Sequence, residues 1–236
     1  MSRNSDPTVQ AIICARNEAP SLPAVLKGTF KHVDRVLVVD GHSTDGTPEL
    51  AKRMGAEVVE DEGLGKGAAI RQAIRLATAD LLVFLDADGS HDPDDIPKLL
   101  APLLAGEADL VIGSRVEGGS DELLNLHHFF RRLGSWIIRT SVNRRFGVHL
   151  TDIQNGFRAA KTQILRSLNL RENIFTIEQE MAIKALRRGY RVINVPTREY
   201  KRKHGRSHIS VPRHGWRYVV SWLKYTYFER DEGGRQ

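Results

Sequence analysis

The feature that most constrains this chain is an alternation. Short apolar runs at 9–14, 35–40, 56–60, 80–86 and 108–113 each follow or precede a polar turn and a stretch of helical periodicity. The periodicity predicts helices over 21–30, 47–54, 65–77 and 93–104, the last opened by Asp92 and Pro93, a good cap and first-turn pair. Short buried strands separated by helices indicate an α/β chain with a mostly parallel, doubly wound sheet flanked by helices. Beyond Gly118 the pattern changes. A long helix is expected over 125–146, another over 177–188, a strand over 191–195, and a C-terminal helix over 213–228. No repeat and no flexible linker interrupts the 236 residues, so one domain is expected.

Composition removes several classes. At 41% hydrophobic and 27% charged residues, disordered and collagen-like architectures are excluded. Cys14 is the single cysteine, which rules out an intramolecular disulfide framework and a cysteine-based zinc cluster. The polar N-terminus resembles no signal segment, and no run reaches the roughly 18 apolar residues of a membrane span. A cytoplasmic protein is expected. The net charge of +6 conceals a division: residues 1–120 carry 12 Lys and Arg against 19 Asp and Glu, and residues 121–236 carry 23 against 10. An acidic half suits metal and nucleotide chemistry, and a basic half suits a phosphate-bearing partner or simply solvated basic helices.

In open α/β sheets ligands bind beyond the carboxyl ends of the strands. Asp40 closes the second predicted strand, Asp86 closes the fourth and Asp88 follows it. Arg16, Asn17 and Glu18 follow the first strand, and Ser114 and Arg115 follow the fifth. Asp86-Ala87-Asp88 sets two carboxylates on one side of an extended segment, a hard oxygen pair suited to Mg²⁺ or Mn²⁺ and, through the ion, to a diphosphate. Such a pair also occurs as ordinary helix capping, and His91 reads either as a further ligand or as a loop residue. Gly41 and Gly46 have Walker-like spacing, but Thr47 stands where that loop needs lysine. Gly63-Leu64-Gly65-Lys66-Gly67 has the wrong spacing for a dinucleotide fingerprint, and reads as a close backbone approach to a ligand or as a flexible turn.

Taken in order, the segments CARNEAPSLPAVL, VVDGHSTDGT, EGLGKGAAIRQAI, FLDADGSHDPDDIPKLL, GSRVEGG, FRRLGSWIIR, LTDIQNGFRA, FTIEQE and RKHGRSH resemble family 2 glycosyltransferases of the GT-A fold. The nearest group is that of the dolichyl-phosphate and polyprenyl-phosphate mannosyltransferases. The resemblance implies a nucleotide-sugar and metal-binding part at 8–118 and an acceptor part at 119–210, followed by the C-terminal helix at 211–228, for which a membrane interface and the domain core are both open. It implies that Cys14, Arg16 and Glu18 hold the nucleotide, that Asp40 belongs to the base- or ribose-binding turn, and that Asp86 and Asp88 bind Mg²⁺ or Mn²⁺. Arg115 would face the donor and Arg202 would close on its phosphates. Arg131 and Ser135 match acceptor-phosphate positions, and Asp152 and Glu180 match acidic positions of the later blocks. Gly41 stands where the family commonly has a second aspartate, which leaves the nucleotide base open between GDP and UDP.

The implied reaction is inverting transfer of a hexose, mannose or glucose, from a GDP- or UDP-hexose to polyprenyl or dolichyl phosphate. A phosphomonoester has a second pKa near about 6 and is already an anion at neutrality, so it asks for cations more than for a general base. A soluble hydroxyl acceptor is the alternative within the same donor chemistry. A non-catalytic nucleotide- or nucleic-acid-binding protein is the alternative of another class. Nucleic acid is not expected, because no aromatic-basic recognition motif accompanies the charge. Trp216, Val219, Val220, Leu223 and Tyr227 recur at helical spacing beside Arg213, Arg217 and Lys224, which fits either peripheral contact with the cytoplasmic face of a membrane or packing on the core.

Overall fold

The computed structural model describes residues 6–121, 129–202 and 211–229. Its strands are β1 (Val9–Ala15), β2 (Arg35–Asp40), β3 (Glu57–Glu60), β4 (Leu81–Asp86), β5 (Leu110–Ser114), β6 (Arg158–Lys161) and β7 (Val192–Pro196). They form one sheet in the order β3-β2-β1-β4-β6-β5-β7. All pairings are parallel except those of β6, which runs antiparallel between β4 and β5. The mostly parallel α/β architecture expected from the alternation is present. The short β6 lay hidden because Arg158-Ala159-Ala160-Lys161 carries no apolar run of the β-branched kind.

The helices are α1 (Leu22–Thr29), α2 (Thr47–Arg53), α3 (Lys66–Leu76), α4 (Ile96–Leu104), α5 (Arg115–Gly118), α6 (Phe129–Phe146), α7 (Thr162–Ser167), α8 (Ile177–Arg187) and α9 (Val211–Leu223). The segment expected as one helix from 93 begins as a 3₁₀ turn, Pro93–Asp95, whose cap Asp92 accepts from the Asp94 N–H. The expected C-terminal helix ends in a π-helical turn, Lys224–Phe228.

Successive strand residues point to opposite faces, and both faces are covered. Ile12, Leu37, Val39, Leu82, Phe84 and Ile112 join the layer of α3, α6 and α8, with Tyr225 of the π turn. Ile13, Val36, Val38, Val83, Leu85 and Val111 join the layer of α1, α2 and α4. The chain runs outward from β1 through β2 to β3, then returns to place β4 on the other side of β1. That reversal leaves a crevice at the carboxyl ends of β1 and β4, where this fold class places ligands.

Candidate active site

Three strand ends meet at the crevice, those of β1, β2 and β4. Cys14 of β1 is the register partner of Asp86 of β4, and Ala15 that of Asp40 of β2. The turns after β1 and β2 are tied together: the Asn17 N–H donates to Ser43 Oγ at 2.8 Å, the Thr44 N–H to Asn17 Oδ1 at 2.8 Å, and the Ala19 N–H to Asp45 Oδ2 at 3.0 Å. Asn17 and His42 take positive φ angles of 54° and 59°, which brings the two turns together. Asp40 is buried, its Oδ2 accepting from the Ser43 N–H at 2.9 Å. Its Oδ1 is buried without a partner among the described residues.

Asp86 and Asp88 each carry a cation of the chain itself. Lys66 Nζ lies 2.7 Å from Asp86 Oδ1 and 3.1 Å from Glu178 Oε1. Arg202 Nη2 lies 2.5 Å from Asp88 Oδ2, and its Nη1 3.6 Å from Glu18 Oε1. Burial would raise the Asp86 carboxyl, but the Lys66 ammonium overcomes burial and holds it at about 2. Glu18 moves up, first by burial and then by the Asp88 carboxylate beside it. His91 accepts the Asp86 N–H on Nδ1 at 3.2 Å and stacks on Phe157, centroids 5.0 Å apart. The ring holds the loop after β4.

The loop that brings Lys66 in has no room for side chains. A Cβ on Gly65 would lie 2.7 Å from the Asn173 carbonyl oxygen, and one on Gly67 2.5 Å from that of Glu172. The close approach that these glycines allow is to the chain's own backbone at Asn173 and Glu172, which neither reading of the cluster anticipated. Glu178 is presented by the first turn of α8, whose backbone is held by the buried Arg158: Nη1 donates to the Glu178 carbonyl at 2.6 Å. Burial lowers the Arg158 pKa to about 10.

Residues 10–168 match the family described as glycosyl transferase family 2. The chain belongs to glycosyl transferase family 2. It is 39% identical over 174 residues to glycosyltransferase AglJ of Haloferax volcanii, an alignment covering 72% of this chain and 55% of that protein. It is 35% identical over 218 residues to the undecaprenyl-phosphate mannosyltransferase of Micrococcus luteus, covering 86% of this chain and 87% of that one. Among solved structures, glucosyl-3-phosphoglycerate synthase of Mycobacterium tuberculosis, crystallised with Mn²⁺, UDP and glucosyl-3-phosphoglycerate, matches with a TM-score of 0.73 and 23% identity, over 97% of this chain and 83% of that one. The fold is that of the GT-A glycosyltransferases.

In this family 2 glycosyltransferase the expected site residues divide into two groups. Cys14, Glu18, Asp40, Asp86, Asp88 and Arg202 gather at the crevice, with exposed Arg16 lying against Gly41. Arg115, expected to face the donor, is held by two acids: Nε and Nη2 donate to the two oxygens of Asp152 at 2.7 and 3.2 Å, and Nη1 lies 3.4 Å from Glu199 Oε1. Burial opposes the ionised pair, but the Arg115 guanidinium still holds Asp152 below the ordinary carboxylate range. Ser135 donates to Gln154 Oε1 at 2.6 Å. Arg131 lies in the first turn of α6, and its side chain is outside the described residues.

Glu180 needs a correction. It is fully buried, accepts the N–H groups of Arg171 and Glu172 at 2.8 Å each, and pairs with Lys184 at 2.7 Å, so it stabilises the 170–175 loop. The acid of FTIEQE that reaches the crevice is Glu178, two residues earlier and on the other side of the helix. Lys66 was likewise missed as a site residue, although its glycine-flanked position was the available signal.

The acidic pair fits a divalent ion of the Mg²⁺ or Mn²⁺ kind. Its donors are carboxylate oxygens only, it lies at the strand rim, and its contacts with Lys66 and Arg202 show that the pair draws positive charge. No group of three or more His, Cys, Asp or Glu side chains placed for a metal occurs among the described residues. Two carboxylates would therefore share such an ion with substrate oxygens and water, as Mg²⁺ commonly requires.

The C-terminal helix presents the apolar side chains outward. Trp216 (60% exposed), Val219, Val220, Leu223 and Phe228 (75%) face away from the core, and Leu133, Trp136 and Ile137 of α6 are exposed too. The inner contacts come from Tyr218, Trp222 and Tyr225: Trp222 Nε1 donates to Ser141 Oγ of α6 at 3.2 Å, and Tyr225 is fully buried. No described helix is long and apolar enough to cross a membrane.

Proposed function

We propose that the chain transfers a hexose, mannose or glucose, with inversion from a GDP- or UDP-hexose to polyprenyl or dolichyl phosphate at a membrane surface. The observation that carries the reading is the Asp86–Asp88 pair at the rim, with Arg202 bound to Asp88 and Lys66 to Asp86. Bound there, Mg²⁺ or Mn²⁺ would neutralise the charge that develops on the departing diphosphate. Arg202 would transfer from Asp88 to those phosphates. Asp40 supports nucleoside binding, because its buried Oδ1, without a partner among the described residues, is an acceptor suited to a hydroxyl or amine.

The acceptor is the finer part of the proposal. The 35% identity to an undecaprenyl-phosphate mannosyltransferase supports a lipid phosphate. So does the outward apolar face of α6 and α9, flanked by Arg217 and Lys224, which suits peripheral binding to an anionic bilayer. Arg131 and Ser135 belong to the same α6 and are assigned here to the acceptor phosphate. Arg115, paired with Asp152, is assigned to the donor.

The test is one incubation of the protein with Mg²⁺ or Mn²⁺, a pool of GDP- and UDP-hexoses and vesicles containing a short polyprenyl phosphate. Mass spectrometry follows every donor and the lipid fraction. Loss of one donor with formation of a glycosylated lipid phosphate is expected. Donor turnover that leaves the lipid unmodified, and glycosylates an added soluble hydroxyl compound instead, would overturn the acceptor assignment.

A further inference from the structure

Lys66 touches two carboxylates, of which only Asp86 belongs to the acidic pair at the rim. Its backbone is fixed, since the Gly67 N–H donates to the Asn173 carbonyl at 2.8 Å and neither Gly65 nor Gly67 has space for a Cβ. The ammonium can therefore move only on its own four-carbon arm. On one side it meets Asp86 Oδ1 at 2.7 Å, and on the other Glu178 Oε1 at 3.1 Å. The second oxygen of Glu178 is buried and has no hydrogen-bond partner among the described residues.

A buried carboxylate oxygen without a donor is costly, and an ammonium has three N–H groups to offer. Glu178 is thus only half served in this arrangement. Gly156 keeps the space between the groups open: a Cβ there would lie 3.3 Å from Lys66 Nζ, 3.6 Å from Asp86 Oδ2 and 3.7 Å from Glu178 Oε1. The Phe175 ring, with its centroid 5.6 Å from Nζ, gives the cation an apolar, attractive wall along this path.

The geometry points to Lys66 as an exchangeable counter-ion, occupying Asp86 while no divalent ion is bound and passing wholly to Glu178 when one is. The inference rests on the metal-dependent reading given above. Two cations on one carboxylate repel, so Lys66 must leave Asp86 for a divalent ion to bind well. Glu178 is a positioning residue in this scheme: it acts on Asp86 only through Lys66. The cost of moving Lys66 keeps ion affinity low in the nucleotide-free protein, and a bound diphosphate adds the negative charge that makes the exchange favourable. Ion and donor binding are thereby coupled.

The experiment is a Mn²⁺ titration of the metal-stripped, nucleotide-free full chain, with free ion read by electron paramagnetic resonance. Thermal melts check that each variant is folded. Lys66→Met is expected to bind Mn²⁺ about tenfold more tightly than the parent protein. Lys66→Gln, which keeps an N–H donor between the two carboxylates, covers a folding defect in Lys66→Met and is expected to move the same way. Glu178→Gln is expected to weaken binding about tenfold when Lys66 is present, and far less in the Lys66→Met background.

Unchanged or weaker Mn²⁺ binding in both Lys66 variants would overturn the proposal. So would an equal effect of Glu178→Gln in both backgrounds, which is what simple removal of a nearby charge gives. The same titrations with saturating UDP and GDP separate the two levels. Mn²⁺ binding that ignores Lys66 defeats only the counter-ion role, whereas no binding by any variant with either nucleotide defeats the metal-dependent reading as well.

Discussion

Cys14 and Asp86 are register partners across the parallel seam between β1 and β4, so the one thiol of the chain sits beside the carboxylate at the crevice. Burial pushes that thiol up to about 12; the Lys66 ammonium pulls against burial, and Asp86 adds to it. A free cysteine ionises near about 8.5, so at pH 8 the folded protein holds roughly a thousandfold less thiolate than the unfolded chain. Iodoacetamide should label Cys14 at least about a hundredfold more slowly in the native protein than in urea. Because the folded pKa is raised, the associated stability is fully present below about pH 8.5 and is lost as pH rises toward about 12. Urea midpoints measured from pH 8 upward should decline in the parent protein and decline less in Cys14→Ala.

Arg115 and Asp152 form a two-point ion pair of low exposure, with side chains 21% and 8% exposed. Removing one partner of such a pair leaves the other charge poorly solvated, so Arg115→Met should cost about 3 kcal/mol in urea denaturation. Asp152→Leu should cost a similar amount. The double replacement should recover much of the loss, since an apolar pair needs no compensating charge. Additive losses in the double variant would show that the two residues do not act as a pair.

The strand rim was legible because it obeys local rules. A carboxylate that ends an apolar run, such as Asp40 or Asp86, needs only its own segment to be read. What the chain pattern did not show depends on partners far away in sequence. Lys66 reaches Glu178 across 112 residues, and Arg115 reaches Glu199 across 84, distances over which no periodicity speaks. Glu178 and Glu180 are two residues apart on one helix, and only the direction of α8 decides which faces the crevice. Strand β6 escaped for a related reason: it is held between β4 and β5 by pairing on both sides rather than by its own propensity.

Asp88→Asn should preserve the fold and lower kcat by about a hundredfold or more, the scale on which loss of one electrostatic stabiliser of a transition state is felt. Its carboxylate is anchored by the Ser90 N–H at 2.9 Å and by Arg202, contacts that an amide reproduces only in part. Raising Mg²⁺ or Mn²⁺ should restore little of the activity. A variant with unchanged turnover on nucleotide sugar and lipid phosphate would remove Asp88 from the machinery.

The Asp86 carboxyl, held at about 2 chiefly by Lys66 against the effect of burial, makes an acid-side prediction. Its pKa is depressed below the unfolded value of about 3.9, so its contribution is complete above that value and is lost as pH falls toward about 2. Urea midpoints should be flat in this respect above about pH 5 and fall below about pH 4. In Asp86→Asn that part of the decline should disappear, leaving the contributions of other depressed carboxyls such as Asp152.

Trp216, Leu223 and Phe228 project from α9 and its π turn on the side away from Tyr225, and Trp136 of α6 is exposed with them. The segment is anchored without these side chains: Arg187 donates to the carbonyls of Tyr225 and Glu229, and Tyr225 Oη donates to Glu172 Oε1 at 2.9 Å. Replacing an outward residue should therefore leave the fold intact while removing apolar area available to a bilayer. Burial of one large apolar side chain is worth about 1.5–3 kcal/mol, and partial insertion realises some of it. Trp216→Ser and Phe228→Ser should each weaken cosedimentation with anionic vesicles by about tenfold, while thermal melting stays within about 1 °C. Arg217→Gln should act mainly at low salt, because an exposed charge is screened beyond about 10 Å at 0.1 M. If the serine variants sediment with vesicles as the parent does, the outward face of α9 is not what meets the membrane.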